Sequence, residues 1–448
     1  MRRIRARSLR RTLTGAIVGL MAATSLLTSP PLAQADTIVT PGDFTGYGFD
    51  QCVGPSQQAM DTWLRTSPFL AVGIYISGDS RGCRSQPNLT PKWIATQLRK
   101  GWRLLPITLG PQASCHPSFP RYGNDPTISP KPGKGGNYRP ARRQARREAV
   151  TAVAAAQALG IVEKSTLWYD LEGFDLTNTH CRESSLAFLS AWTAKLHALD
   201  YVSGVYSSAG SGIKMLDDAR VNRPDQVTLP DQIWIARWDG KANTKTDYIR
   251  PDGWLPGGRM KQYRGGHNET WGGVTINIDS NWLDLGRGSV ATPVAHCRNT
   301  DVDHASYKVL AEGTTEAVLV EALQCLLKEQ GLYGGKLNGR YNEKTIAAAR
   351  AWQTARGFTA TSTWGRVHWM SLLAAGPSPV LKFGSASDDV RRVQRALNAA
   401  SATLGLTVSG TYTRATAAAV AAYQDDLGHT DSGIVTGSTW KALRKGRR

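Results

Sequence analysis

Leu167-Trp168-Tyr169-Asp170-Leu171-Glu172 is the stretch on which the fold turns. Side chains alternate along a strand, so Trp168, Asp170 and Glu172 share one face and Leu167, Tyr169 and Leu171 the other. Working outward, seven more strand-like runs flank it: 46–50, 70–77, 102–109, 202–207, 232–238, 259–263 and 274–279, with the quoted run filling 166–172. Helix-like stretches lie between several of them. Pro91 behind Thr90 is a helix start. Residues 142–159 are alanine-rich, and 184–199 make another helix. Eight strands with helical or loop connections over 36–286 predict an α/β fold, a TIM-type (β/α)₈ barrel. An open α/β sheet is the alternative, but it would usually carry a nucleotide-binding loop, and none is present.

Chemistry in a TIM barrel sits at the C-terminal ends of the strands. The first run ends at Asp50, the fourth carries Asp170 and Glu172, and the eighth ends at Asp279. Strands one and eight are neighbours on closure, so four carboxyl groups converge on the mouth. Such a cluster repels itself and pushes its pKa values apart, leaving one member protonated near neutral pH. Glycoside cleavage needs that proton donor, and an ionised carboxylate to stabilise the cation-like sugar. The rival readings are a calcium or magnesium site and purely structural acids bonded to amides or to Arg237. The eight histidines are scattered, which speaks against zinc. No metal and no cofactor is expected.

The last 140 or so residues repeat internally. Gly313, Val320, Leu323-Gln324, Leu327, Gly339, Tyr341, Thr345, Trp352-Gln353 and Trp369 recur as Gly384, Val390, Val393-Gln394, Leu397, Gly410, Tyr412, Thr416, Tyr423-Gln424 and Trp440. Helical spacing of the apolar positions predicts a three-helix module in each copy, with Thr345 or Thr416 opening the second helix. Two small all-α modules are therefore expected, at 301–376 and 377–448, after a linker at 287–300.

The N-terminus is basic through Arg2, Arg3, Arg5, Arg7, Arg10 and Arg11, then apolar to about Leu27, then Ala33-Gln34-Ala35. That order predicts a secretory signal peptide over 1–35. Ser8 to Leu13 hints at the twin-arginine route while departing from its usual pattern. Removal of the signal takes six of the net +19 charges and leaves +13, which favours anionic partners. No nucleic-acid motif is present, and no second long apolar run follows. Six cysteines, an even number in an exported chain, read as disulfides. Order along the chain suggests Cys52–Cys83, Cys115–Cys181 and Cys297–Cys325. The last pair stands alone in its domain, whereas the first four cysteines allow three pairings.

The repeat resembles the peptidoglycan-binding domain appended to wall hydrolases, on the Leu323-Gln324 and Val393-Gln394 pairs, Asn338-Gly339 and Ser409-Gly410, and Trp352-Gln353 and Tyr423-Gln424. It departs from that pattern at Tyr341-Asn342 and Tyr412-Thr413. The barrel resembles the family-25 glycoside hydrolases, the muramidase-type lysozymes, and more closely a glycoside hydrolase-like domain of secreted actinobacterial proteins. The resemblance rests on Gly48-Phe49-Asp50, Asp170-Leu171-Glu172, Gly204-Val205-Tyr206, Trp234-Ile235-Ala236-Arg237-Trp238, Lys261-Gln262-Tyr263 and Ile278-Asp279. It implies Glu172 as general acid/base and Asp170 as the group that orients the acetamido substituent of the sugar. Asp50 and Asp279 complete the acidic floor, and Tyr75, Tyr206, Trp238 and Gln262 shape the sugar site. Departures are Gln51-Cys52 after the first strand and the basic segment 120–147, with Arg142, Arg143, Arg146 and Arg147. That segment reads either as a solvated helix face or as a contact to anionic wall polymer. Two functions follow. One is a secreted, monomeric, cell wall-associated enzyme that cleaves the β-1,4 bonds of peptidoglycan. The other is a wall glycan-binding protein on the same scaffold.

Overall fold

The computed structural model describes residues 38–448 except 122 and 124. The expected signal peptide lies outside the described residues. Eight strands close a barrel in sequence order: β1 (Phe44–Asp50), β2 (Ala71–Ser77), β3 (Arg103–Thr108), β4 (Thr166–Asp170), β5 (Val202–Ser208), β6 (Gln232–Ala236), β7 (Gly258–Trp271) and β8 (Val274–Leu285). Five helices cross between the first six strands: α1 (Gln57–Thr66), α2 (Pro91–Arg99), α3 (Arg139–Ala158), α4 (Thr179–His197) and α5 (Lys214–Asn222). Thr90 caps α2 by accepting the N–H of Trp93, with Pro91 in the first turn.

The barrel is TIM-type, but it departs from eight parallel strands in its last quarter. Strand β8 runs antiparallel to both β7 and β1. The cause is local. Gly272 and Gly273, at φ 57° and 79°, form a two-residue hairpin turn after Trp271. Two residues with positive φ reverse a strand at once, leaving no chain for a helical crossover. Asp279 is therefore not a strand terminus. It lies inside β8, directly opposite Asp50, and reaches the mouth because its strand runs downward from there. The fourth and sixth runs are shorter than expected as strands, ending at Asp170 and Ala236. Beyond Ala236 the chain turns through Asp239, Lys241 and Asn243 and has no helix before β7. Arg259 and Lys261 hold it from below by donating to the carbonyls of Gly253 and Lys245.

Inside the barrel, Trp168 packs edge-on against Trp234, ring centroids 5.6 Å apart. Gly204 makes room for it, since a Cβ there would sit 2.3 Å from the Trp168 ring. Outside, Tyr169 packs against Phe188 and Trp192 of α4. The alternation read from the sequence thus sorts β4 into barrel interior and helix layer. Disulfides join Cys52 to Cys83, Cys115 to Cys181, and Cys297 to Cys325.

Each copy of the repeat has three helices: α6 (Ala317–Glu329), α7 (Glu343–Ala355) and α8 (Arg366–Leu373), then α9 (Asp388–Ala400), α10 (Arg414–Asp426) and α11 (Gly437–Arg444). The residues that open the second helices are not Thr345 and Thr416 but Asn342 and Thr413, whose side chains accept the N–H of those threonines. Thr345 and Thr416 are buried one turn inside, where their hydroxyls receive the Nε2 of Gln324 and Gln394. A polar side chain that cannot reach water must find such a partner.

The two copies share one hydrophobic core, and the second is docked on the barrel. Lys382 is buried and donates to the carbonyls of Ser67 (2.8 Å), Phe69 (3.0 Å) and Trp63 (3.3 Å). Phe383 stacks on Trp282 at 5.9 Å. Arg391 ties down the connecting segment through the carbonyls of Ala291 and Thr292. Barrel and repeat form one compact unit from Ile38 to Arg448.

Candidate active site

The four acids meet at the mouth, each by a different route. Asp50 ends β1 and is buried. It accepts from Asn281 Nδ2 at 2.7 Å and from Gln262 Nε2 at 3.3 Å. Asp170 ends β4, also buried. Its Oδ2 accepts from the Tyr75 hydroxyl at 3.1 Å, while its Oδ1 has no hydrogen-bond partner among the described residues. Glu172, two residues on, is half-buried. A cavity of about 240 Å³ is lined by Asp50, Tyr75, Arg81, Arg121, Glu172 and Asp279. A second, of about 430 Å³, is lined by Glu172, Tyr206, Arg237, Trp238 and Tyr248. Glu172 borders both.

Burial dominates the electrostatics, because a carboxylate leaving water loses more hydration than neighbouring dipoles return. Asp50 is pushed up to about 8, first by burial and then by the charge of Asp279. Burial also raises Asp279, against the Gly266 N–H and His267. Each of these two acids is thus raised by burial, and their proximity adds to the rise of Asp50. Asp170 is raised well above the carboxylate range by burial and then by Glu172, with Tyr75 opposing. Burial raises Glu172 too, and Arg121 pulls it back.

Of the four residues expected to shape the sugar site, Gln262 ties the others together. Its Oε1 receives the Tyr206 hydroxyl at 3.0 Å and the Trp238 indole N–H at 2.8 Å, and its Nε2 donates to Asp50. Trp238 is 67% exposed. Gly265 lies beneath it, where a Cβ would come within 2.4 Å of the ring. The indole is thus pinned on one face and open on the other. Tyr75 borders the first cavity and Tyr206 the second.

Sequence reasoning missed Gln112, Asn281, Arg81 and Arg121. Gln112 is fully buried, and its Nε2 donates to the Asp170 carbonyl at 2.7 Å while its Oε1 receives the Glu172 N–H at 2.8 Å. No motif marks it, because it sits in a loop. Asn281 does carry a signal: it lies two residues from Asp279 and so shares its face.

A closed barrel whose mouth gathers four carboxyl groups, with one glutamate between two cavities, defines a glycoside hydrolase-like protein. Residues 61–283 match the model of the Rv2525c-like glycoside hydrolase-like domain, and residues 386–443, in the second repeat copy, match that of a putative peptidoglycan binding domain. The chain joins an Rv2525c-like glycoside hydrolase-like barrel to a peptidoglycan-binding domain. No curated protein matches it. Among solved structures it is similar to the Mycobacterium tuberculosis Tat-secreted protein Rv2525c in complex with L-tartrate (13% identity, 54% of this chain and 97% of that one, TM-score 0.35). It is also similar to a family 25 glycosyl hydrolase from Bacillus anthracis (12%, 55% and 91%, TM-score 0.33). A third similar structure is the Clostridium perfringens spore cortex lytic enzyme SleM (15%, 61% and 74%, TM-score 0.37).

Proposed function

We propose that the protein is a secreted, cell wall-associated glycoside hydrolase acting on the β-1,4 bonds of peptidoglycan. The observation that carries this reading is Glu172, a carboxyl group raised by burial that borders both cavities. A glycan lying across the two would present its scissile oxygen to that acid. Glu172 protonates the leaving oxygen and then takes a proton from water. Asp170 stands behind it with one buried oxygen that has no partner among the described residues, and we assign it the orientation of the acetamido group on the sugar. Tyr75 holds the other oxygen of Asp170. Asp50, raised by burial, and Asp279 opposite it form the floor. The open face of Trp238 supports the next sugar ring, which an aromatic plane suits. The peptidoglycan-binding domain and three disulfides favour a site of action at the wall.

The test is release of reducing ends from purified peptidoglycan by the chain beginning at Asp36, beside Glu172→Gln. Release that vanishes in the variant supports the glycosidase and its proton donor. If neither protein releases ends while both pellet with the wall, the chain is a glycan-binding protein on a hydrolase scaffold.

A further inference from the structure

Helix α3 carries its charges in the least favourable arrangement for a helix. Five arginines, 139, 142, 143, 146 and 147, fall in its first nine residues, and Glu148 is its only acid. Cations near a helix N-terminus oppose the backbone dipole. Like charges three and four residues apart destabilise the helix further. Neutral helix formers would serve a merely solvated face better, so the arrangement is retained against a cost.

The tertiary structure adds a shape to this charge. Arg143, Arg146 and Arg147 line an open groove of about 580 Å³ with Val150, Thr151 and, from the neighbouring α4, Lys195. No acid lines it. None of these four cations forms an ion pair among the described residues, although arginines elsewhere on the barrel do, such as Arg220 with Asp217 and Asp252, and Arg223 with Glu183. Glu148 does not reach the groove: it lies against Gly110 behind β4. The helical rise puts Arg143 and Arg147 about 6 Å apart along the axis, a ladder for a chain bearing an anionic group on each short repeat. Guanidinium forks bind phosphate oxygens in pairs, and the exposed Val150 offers an apolar strip for a neutral spacer.

We propose that the α3–α4 groove is a second wall-binding site, taking the phosphodiester backbone of an anionic wall polymer such as a poly(glycerol phosphate) chain. The site is separate from the barrel mouth. It rests on the reading of the protein as one that acts outside the cell, where such polymers are the abundant polyanions. It gives the excess positive charge a location and lets the protein hold the wall by polymer as well as by peptidoglycan.

The test is co-sedimentation with cell walls before and after hydrofluoric acid strips their phosphodiester polymer, together with binding of soluble poly(glycerol phosphate) across a salt series. The variant is Arg143→Gln/Arg146→Gln/Arg147→Gln/Lys195→Gln. A control with the same charge loss is Arg65→Gln/Lys92→Gln/Arg99→Gln/Lys134→Gln, all exposed positions. The proposal expects the groove variant to bind the polymer at least roughly tenfold more weakly, with a shallower salt dependence, and the control to bind like wild type. Binding to stripped walls stays the same in all three. Equal weakening in variant and control would reduce the effect to net charge and overturn the site. Preference for single-stranded DNA of equal phosphate number would overturn the partner. Reducing-end release from stripped peptidoglycan is read in parallel: its loss alone bears on the catalytic reading, and loss of polymer binding alone bears on the groove.

Discussion

The Glu172 backbone N–H donates to Gln112 Oε1 at 2.8 Å, and the same amide donates through Nε2 to the carbonyl of Asp170 at 2.7 Å. One side chain thus fixes the backbone on either side of Leu171 and with it the spacing of the two acids. Gln112→Ala is expected to lower turnover on peptidoglycan by roughly 10- to 100-fold while wall binding is unchanged, because small misplacements of reacting groups are costly. Steady-state kinetics beside co-sedimentation would separate the two. A variant that loses affinity and keeps its turnover would contradict a positioning role.

Arg121 holds Glu172 below the value that burial alone would set. Removing that cation as Arg121→Met raises the Glu172 pKa. The alkaline limb of the activity profile reports loss of the catalytic proton, so it moves to higher pH in the variant. A limb that stays put or moves down, measured on a soluble glycan, would exclude Glu172 as the titrating acid.

Asp50, up to about 8 when folded, titrates near 4 when unfolded. Between these values the native state binds the proton and the unfolded state does not, so stability falls as pH rises. The contribution is fully present below about pH 4 and is lost as pH rises through about 8. Asp50→Asn imitates the protonated acid, still facing Asp279 and the amides of Gln262 and Asn281. Its melting temperature is expected to fall less than that of wild type between pH 5 and pH 8.5. Parallel curves would show that Asp50 is not the group responsible.

Gly265 leaves one face of Trp238 supported and the other free. Gly265→Val would displace the indole and break its bond to Gln262, raising KM for long glycans by about tenfold, in proportion to one lost stacking contact of about 1–1.5 kcal/mol. Stability should hardly change, because the ring is largely exposed. Calorimetric titration of an inactive Glu172→Gln background with a glycan oligomer reads the affinity directly.

Lys382 ends among three backbone carbonyls of the barrel. Lys382→Glu would face those oxygens with a carboxylate and should cost about 3–5 kcal/mol, as for a buried unpaired charge. The expected result is a lower denaturation midpoint and a larger radius in solution scattering as the second repeat copy leaves the barrel. An unchanged radius would show that the remaining contacts hold the repeat without it.

Much of this protein was legible in one dimension. Period-two alternation in 166–170 puts Trp168 and Asp170 on one face because a pleated strand allows nothing else, whereas Glu172 lies beyond the strand end and is held by Gln112. The repeat declared itself through paired residues such as Gln324 and Gln394, whose buried amides each bridge a turn to the second helix. Gly272-Gly273 is a hairpin signal as well, and it conflicts with a barrel of uniformly parallel strands. The adjacency of Asp50 and Asp279 follows from barrel closure, but the direction of β8, and with it the place of Asp279 inside that strand, does not.

By itself, the sequence determined the local and periodic features: strands, helices, the repeat, and the shared face of Trp168 and Asp170. These follow from backbone geometry, which needs no distant partner. Tertiary structure alone decided which acids are buried and raised, that Gln112 and Gln262 tie the site together, and that Lys382 and Arg391 dock the repeat on the barrel. Those properties come from desolvation and from contacts between residues as many as 319 positions apart. Neither the burial of a charge nor the carbonyl that receives it is written near that charge in the chain.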